Sequence, residues 1–268
     1  MARIKGENGF LSGMVGNVSF YKRKDLDGVI VRTKGGPTKS MMKKSPKFAN
    51  TRKRNVEFGV CSKMGAQIRH KLHKLAELSD YNASTALNSL ASIILKTDVE
   101  HELGKRSICL SKNRDLLKGF SFNKVNLLES YFTGLYSCNV DKDAFSAQID
   151  ISPITTAIHL NNTNSFQYFR WIMVVSVVAD FEYSEEKMCY IYSTDYYYPL
   201  GRSVESPWRS LQSNHESESL KIEQVLETPL QENQTVVVGF GIEFGRAINN
   251  EAVVAVKVAG AAKIVAVV

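Results

Sequence analysis

Between residues 15 and 34 the side chains alternate as they do along strands. Val18 and Phe20 fall on one face with Asn17, Ser19 and Tyr21 on the other, and Val29, Val31 and Thr33 share a face of the return strand. Asp27-Gly28 supplies a turn signal between the two runs, so the segment is expected to form a two-stranded β-hairpin. The period then changes. Val56, Val60, Met64, Ile68, Leu72 and Leu75 recur every three or four positions, which predicts an amphipathic helix over 52–78. "SDYN" closes it, "NAS" can cap another, and Leu87, Leu90, Ile94 and Leu95 mark a second helix over 83–96. The stretch between hairpin and helices, "GGPTKSMMKKSPKFANTRKR" at 35–54, reads as a basic linker punctuated by Gly and Pro. Fully extended, it would reach on the order of 60 Å.

From about residue 116 the pattern is that of strands. "KGFSFN", "AFSAQIDI", "FRWIMVVSVVADFEY", "MCYIYST", "QTVVVGFGIEF", "EAVVAVKVA" and "KIVAVV" are short β-branched or aromatic runs, most of them separated by Gly, Asn, Asp or Pro. They do not alternate with helices, which argues against a parallel α/β sheet. The expected class is therefore α+β, mainly β: an N-terminal β-hairpin arm with its linker (1–54), a helical hairpin (55–115), and an antiparallel β-sandwich or barrel (116–268).

Charge sharpens this division. The net charge is +7, but residues 1–54 carry fourteen Lys and Arg against Glu7, Asp25 and Asp27, a balance of +11 that leaves −4 for the remainder. A basic arm ahead of a mildly acidic body suggests either nucleic acid or a second copy of the chain as partner. No cleavable secretory signal is recognisable in the first 20 residues, and no run reaches the ~18–20 apolar residues of a membrane span. The expectation is a cytoplasmic protein, or an extracellular one exported without a cleaved signal peptide, and no membrane insertion. Cys61, Cys109, Cys138 and Cys189 lie far apart without a CxxC pair, as reduced thiols would.

The opening "MARIKGENGFLSGMVGNVSFYKRKDLDGVIVRTKGG" resembles that of an uncharacterised protein family of Bacteroidota, whose members begin M-A-R-I-K-G and continue G-x-V-G-N-x-x-x-Y and a basic V-R-x-x. "NTRKRNVEFGVCSKMGAQIR", "LKGFSFN", "NSFQYFRWIMVVSVVADFEY" and "VVGFGIEF" are similar to later segments of that family. The resemblance implies a bacterial source and the order hairpin, helices, β-domain. It implies no activity, because none is established for the family.

Candidate chemistry is sparse. His70, His73 and Glu77 at i, i+3 and i+7 could share a helix face and hold a metal, but their cationic neighbours make a solvated polar face the better account. Asp141 and Asp143 in "NVDKDAF" have the spacing of a calcium loop without its remaining ligands, and read as a turn. Tyr196, Tyr197 and Tyr198 end a run of five tyrosines, an aromatic surface that could stack on bases or sugars but fits a core or interface better. Gly239, Gly241 and Gly245 in "GFGIEFG" precede no helix and read as strand glycines rather than a phosphate cradle. No catalytic motif stands out and no cofactor is implied, so the expectation is not an enzyme. The ribbon is the strongest signal. Its apolar face (Val18, Phe20, Tyr21, Val29, Val31) needs a covering surface, since an isolated two-stranded hairpin is marginal in water. Docking on a neighbouring copy by strand addition would give a filament or other homopolymer. The alternative is a nucleic-acid-binding arm using Lys22, Arg23, Lys24, Arg32 and Lys34.

Overall fold

The structure, a computed structural model, describes residues 2–5, 10–22, 28–33, 35–161, 166–194, 201–223, 228–249 and 252–268. It is α+β and mainly β, with antiparallel sheets that do not close into a barrel. The chain divides into two compact units, Met1–Arg52 and Lys53–Val268.

In the first unit, β1 (Ala2–Lys5), β2 (Phe10–Val15), β3 (Val18–Tyr21) and β4 (Ile30–Thr33) form a four-stranded antiparallel sheet in chain order. This corrects the two-stranded expectation. Gly16 and Asn17 form a two-residue turn between β2 and β3, and Gly16 takes φ +56° with open space around it. A positive φ at the first central position is what a tight hairpin turn of this kind requires, and glycine supplies it without strain. The expected linker is also more ordered than its composition suggests. Helix α1 (Lys39–Lys44) is capped by Thr38, whose hydroxyl accepts from Met41 N at 3.2 Å. A 3₁₀ turn follows at Pro46–Phe48, with Pro46 at the first position, where its missing N–H costs nothing. Arg52 donates to both Met42 O and Ser45 O at 2.9 Å, tying the turn together.

The second unit is built around one long sheet. β7 (Tyr168–Ala179), β13 (Gln234–Asn249) and β14 (Ala252–Val267) run side by side, and β10 (Arg202–Glu205) and β11 (Arg209–Ser210) complete the free side of β7. Both faces of this sheet are covered. Phe169, Trp171, Met173, Val175 and Val177 point to one face and Ile172, Val174 and Val178 to the other. That is why "WIMVVSVV" shows no polar alternation. On the first face, β5 (Tyr136–Asp141), β6 (Ser146–Ile151) and β12 (Glu218–Glu223) form a three-stranded sheet whose inward residues Ala147, Ile149, Ile151, Leu220 and Ile222 join the core. On the other face lie α2 (Ala49–Lys71), α3 (His73–Ala76) and α4 (Ala83–Thr97), which contribute Val60, Met64, Ile68, Leu72, Leu75, Leu87 and Ile94. The 55–115 segment is thus one layer of the second unit rather than a domain apart.

The helix expected over 52–78 breaks at Leu72, where φ −105° and ψ 32° leave the helical region. The second helix matches its expected span to within a residue and is capped by Asn82, whose Oδ1 accepts from Ser84 N at 3.1 Å. A small two-stranded ribbon of β8 (Phe181–Ser184) and β9 (Cys189–Tyr192) completes the unit, along with single-turn helices at Arg114–Leu117, Leu128–Tyr131 and Thr156–His159. "KGFSFN" is not a strand. It touches β14 through the isolated bridge Ser121↔Lys263, and Asn123 fastens it by donating to Leu78 O and Gly260 O and accepting from Ala262 N.

Candidate functional site

Register determines what the N-terminal sheet presents. Val15 opposes Val18, Gly13 and Val31 flank Phe20, and Thr33 opposes Val18, so these residues share one face. Met14, Ser19, Tyr21, Ile30 and Arg32 share the other. Val18, Phe20 and Ile30 are half-buried, whereas Val15 and Val31 are each 57% exposed. Val29 lies just before β4 and is half-buried, outside the pairing that the sequence had suggested for it. Among the described side chains of Met1–Arg52 none is buried, so this unit has a well-formed backbone ladder without a closed core. β1 and β4 are its outer strands, each paired on one side only among the described residues.

Of the five basic residues singled out, Lys22 and Arg32 are described, and both are exposed. Arg32 lies on the face opposite Phe20, with its carbonyl accepting from Ser19 Oγ at 3.4 Å. Arg23, Lys24 and Lys34 lie outside the described residues, as do Tyr196, Tyr197 and Tyr198. The neighbouring tyrosines are structural. Tyr190 is buried and donates to Arg106 O at 2.9 Å, and Tyr192 packs on Phe181 with ring centres 4.6 Å apart.

The other sequence candidates resolve into structure. The break at Leu72 takes His73 and Glu77 off the α2 helix that carries His70, and no trio of His, Cys, Asp or Glu is placed to hold a metal ion among the described residues. Asp141 Oδ1 accepts from Asp143 N at 3.0 Å and Ala144 N at 2.9 Å, the local bonding of a turn, here between β5 and β6. The glycines of "GFGIEFG" allow close approach. A side chain at Gly239 would overlap Leu75 Cδ1, and one at Gly241 would come within 2.8 Å of Ala261 O and 3.2 Å of Leu78 Cδ1. They let α3 and the turn after it lie directly on the sheet.

Two buried charges have no counterpart in the sequence reading. Glu57, 5% exposed, receives Arg106 in a bidentate pair at 2.8 and 2.7 Å and also Gly104 N at 2.8 Å. Burial works against its charge, but these hydrogen bonds outweigh it and hold the carboxyl below its ordinary range. Lys71, 1% exposed, donates to Val177 O from the C-terminal end of α2. Burial pushes its amine down to about 8. Val177 lies beyond Val175, the last residue of β7 paired with β10, so Lys71 serves a stretch of β7 edge that β10 does not reach. This is edge covering, which accounts for the buried amine without catalysis.

A second open ribbon sits in the larger unit. β7 pairs β13 only as far as Tyr168↔Gly245, while β13 and β14 remain paired to Asn249↔Ala252. Beyond Gly245 the sheet is therefore two strands wide, and Ile248 and Val254 on it are 64% and 47% exposed. No helix among the described residues is long and apolar enough to cross a membrane. No protein-family model, curated protein or solved structure matches this chain.

Proposed function

We propose that this protein is a non-enzymatic structural component that assembles with copies of itself, as a filament or other homopolymer, by docking its N-terminal sheet onto a neighbour. The observation that carries this reading is the exposed apolar face of that sheet, with Val15 and Val31 each 57% open to solvent in a unit that has no buried side chain among those described. Fully burying a valine or phenylalanine is worth about 1.5–3 kcal/mol, so covering Val15, Val18, Phe20 and Val31 would supply several kcal/mol per contact. The acceptor in this reading is the two-stranded end of β13 and β14, which offers Ile248, Val254 and unpaired strand edges. Donor and acceptor are different surfaces, so the contact is head-to-tail and propagates unless its rotation closes a ring.

The test is light scattering with negative-stain microscopy on nuclease-treated, full-length protein. Large regular particles are the expected result, and a monomer at all concentrations would end the proposal. The basic balance of residues 1–54, with Lys22 and Arg32 exposed, favours a second reading in which the arm tracks a nucleic-acid backbone. That reading requires affinity that falls steeply with salt, and particles that disperse on nuclease treatment.

A further inference from the structure

A cavity of about 490 Å³ lies in the larger unit where β7 gives way to β8, between the 107–114 segment and the turn before β13. Asp180 forms its floor. The residue is 3% exposed and accepts from Ser111 N at 3.1 Å and from Ser111 Oγ at 2.5 Å. Its backbone joins the walls, since Asp180 N donates to Asn233 O and Ser193 N donates to Asp180 O, both at 3.1 Å. Lys112, Arg114 and Lys142 line the cavity, and Asp180, Glu182 and Glu232 balance their charge.

Three polar atoms of the lining residues are buried without a hydrogen-bond partner: Arg114 Nε, Ser193 Oγ and Asn233 Oδ1. The Asn233 amide nitrogen is already committed to Ser193 O, which fixes the orientation of the amide and leaves its oxygen as the orphan. An orphaned buried polar group costs about 1–3 kcal/mol, and native proteins hold few of them, so three around one cavity call for a common partner. The same cavity is charged on both sides and of a size that suits a small molecule.

The three atoms specify complementary chemistry. Arg114 Nε–H and the Ser193 hydroxyl require an acceptor, and the guanidinium favours an anionic one. Asn233 Oδ1 requires a donor, and Asp180, Glu182 and Glu232 favour a cationic one. A simple carboxylate would leave Asn233 unanswered, and a simple amine would leave Arg114 and Ser193 unanswered. We infer that this cavity binds a small zwitterion, a molecule carrying an ammonium and a carboxylate as a free α-amino acid does, with its carboxylate toward Arg114 and Ser193 and its ammonium toward Asn233 and Asp180. The inference is independent of self-assembly, because every residue in it lies in the larger unit.

The test is calorimetric titration of the full-length protein with a panel of the common amino acids, beside acetate and methylamine as half-ligands. At least one amino acid should bind saturably below ~10 mM, and neither half-ligand should compete at that concentration. Arg114→Lys keeps the charge but removes the Nε geometry, and Ser193→Ala removes only the hydroxyl. Each should weaken binding about tenfold or more, the value of one charge-assisted or well-placed hydrogen bond. If either variant fails to fold, amide NMR shifts in the wild-type protein take its place. Asp180, Ser193 and Asn233 should then move together on titration. Absence of binding across the panel, acetate binding as tightly as the amino acids, unaltered affinity in both folded variants, or shifts confined to other residues would each overturn the assignment.

Discussion

The two large sheets of this protein use the same ladder and differ in what covers them. β7, β13 and β14 are covered on one face by the α2–α4 helices and on the other by β5, β6 and β12, and Trp171, Phe240 and Phe244 are wholly buried there. β1 to β4 have comparable pairing, yet no described side chain of that unit is buried. Backbone hydrogen bonds contribute little net stability to either, because water offers the unfolded chain equivalent bonds. The central sheet is held by its two covering layers, and the N-terminal sheet lacks them within its own unit. The comparison separates a sheet that stabilises the fold from one whose apolar face remains available for contact.

The largest effect is expected where the central sheet is packed most densely. Trp171 is 0% exposed and stacks on Phe240 at 5.2 Å, with Phe132 and Phe169 beside it. Trp171→Ala should cost about 3–5 kcal/mol in chemical denaturation, with no comparable loss from a truncation at Val31. Next, Gly239→Ala pushes a methyl into Leu75 and should cost about 1–3 kcal/mol. Trimming the obstruction in a Gly239→Ala, Leu75→Ala double variant should give a loss smaller than the two single losses combined. Additive losses would show that the helix layer does not rest on that glycine.

Lys71 gives the comparison a pH axis. Its amine is held near 8 in the fold against an ordinary 10.5, so between those values the unfolded chain binds more protons than the folded one. Stability should therefore rise with pH across that window, by on the order of 3 kcal/mol from this group, and its cost should be fully present below pH 8. Lys71→Met should lack this rise when its unfolding curves at pH 7.5 and 10 are compared with those of the parent. A parallel pH dependence would contradict the burial of the charge. The smallest stability effect belongs to the N-terminal sheet. Val15→Lys or Val31→Lys should shift the main unfolding transition by no more than ~0.5 kcal/mol, as substitutions at open surface positions do.

The sequence was most legible where one period dominated. Alternation at Val18, Phe20 and Val31 gave the ribbon and its apolar face, and the three-to-four spacing from Val60 to Leu75 gave the face of α2 and α3 that enters the core. Glycine misled in two opposite ways. Gly13 and Gly16 looked like interruptions of an unstructured start, although Gly16-Asn17 is the turn that joins β2 to β3. Gly260 looked like a gap between two strands, yet at φ +154° it carries one continuous strand past Ile242 O. β5, β10 and β12 escaped notice because "YSCNVD", "RSVE" and "ESLKIE" are short, polar and half-covered, with too few apolar positions to set a period. The N-terminal apolar face was therefore readable in advance, with Val29 at its margin. The cavity at Asp180 was not, since Arg114, Ser193 and Asn233 converge only through the tertiary fold.

The central claim is that the open face of the N-terminal sheet joins one copy to the next. Its most direct test is sedimentation velocity on nuclease-treated protein, wild type against a Val15→Lys, Val31→Lys double variant at matched concentrations. The account predicts large species in the wild type and a shift to monomer in the variant, with the unfolding transition of the larger unit unchanged. Identical sedimentation of the two would contradict it.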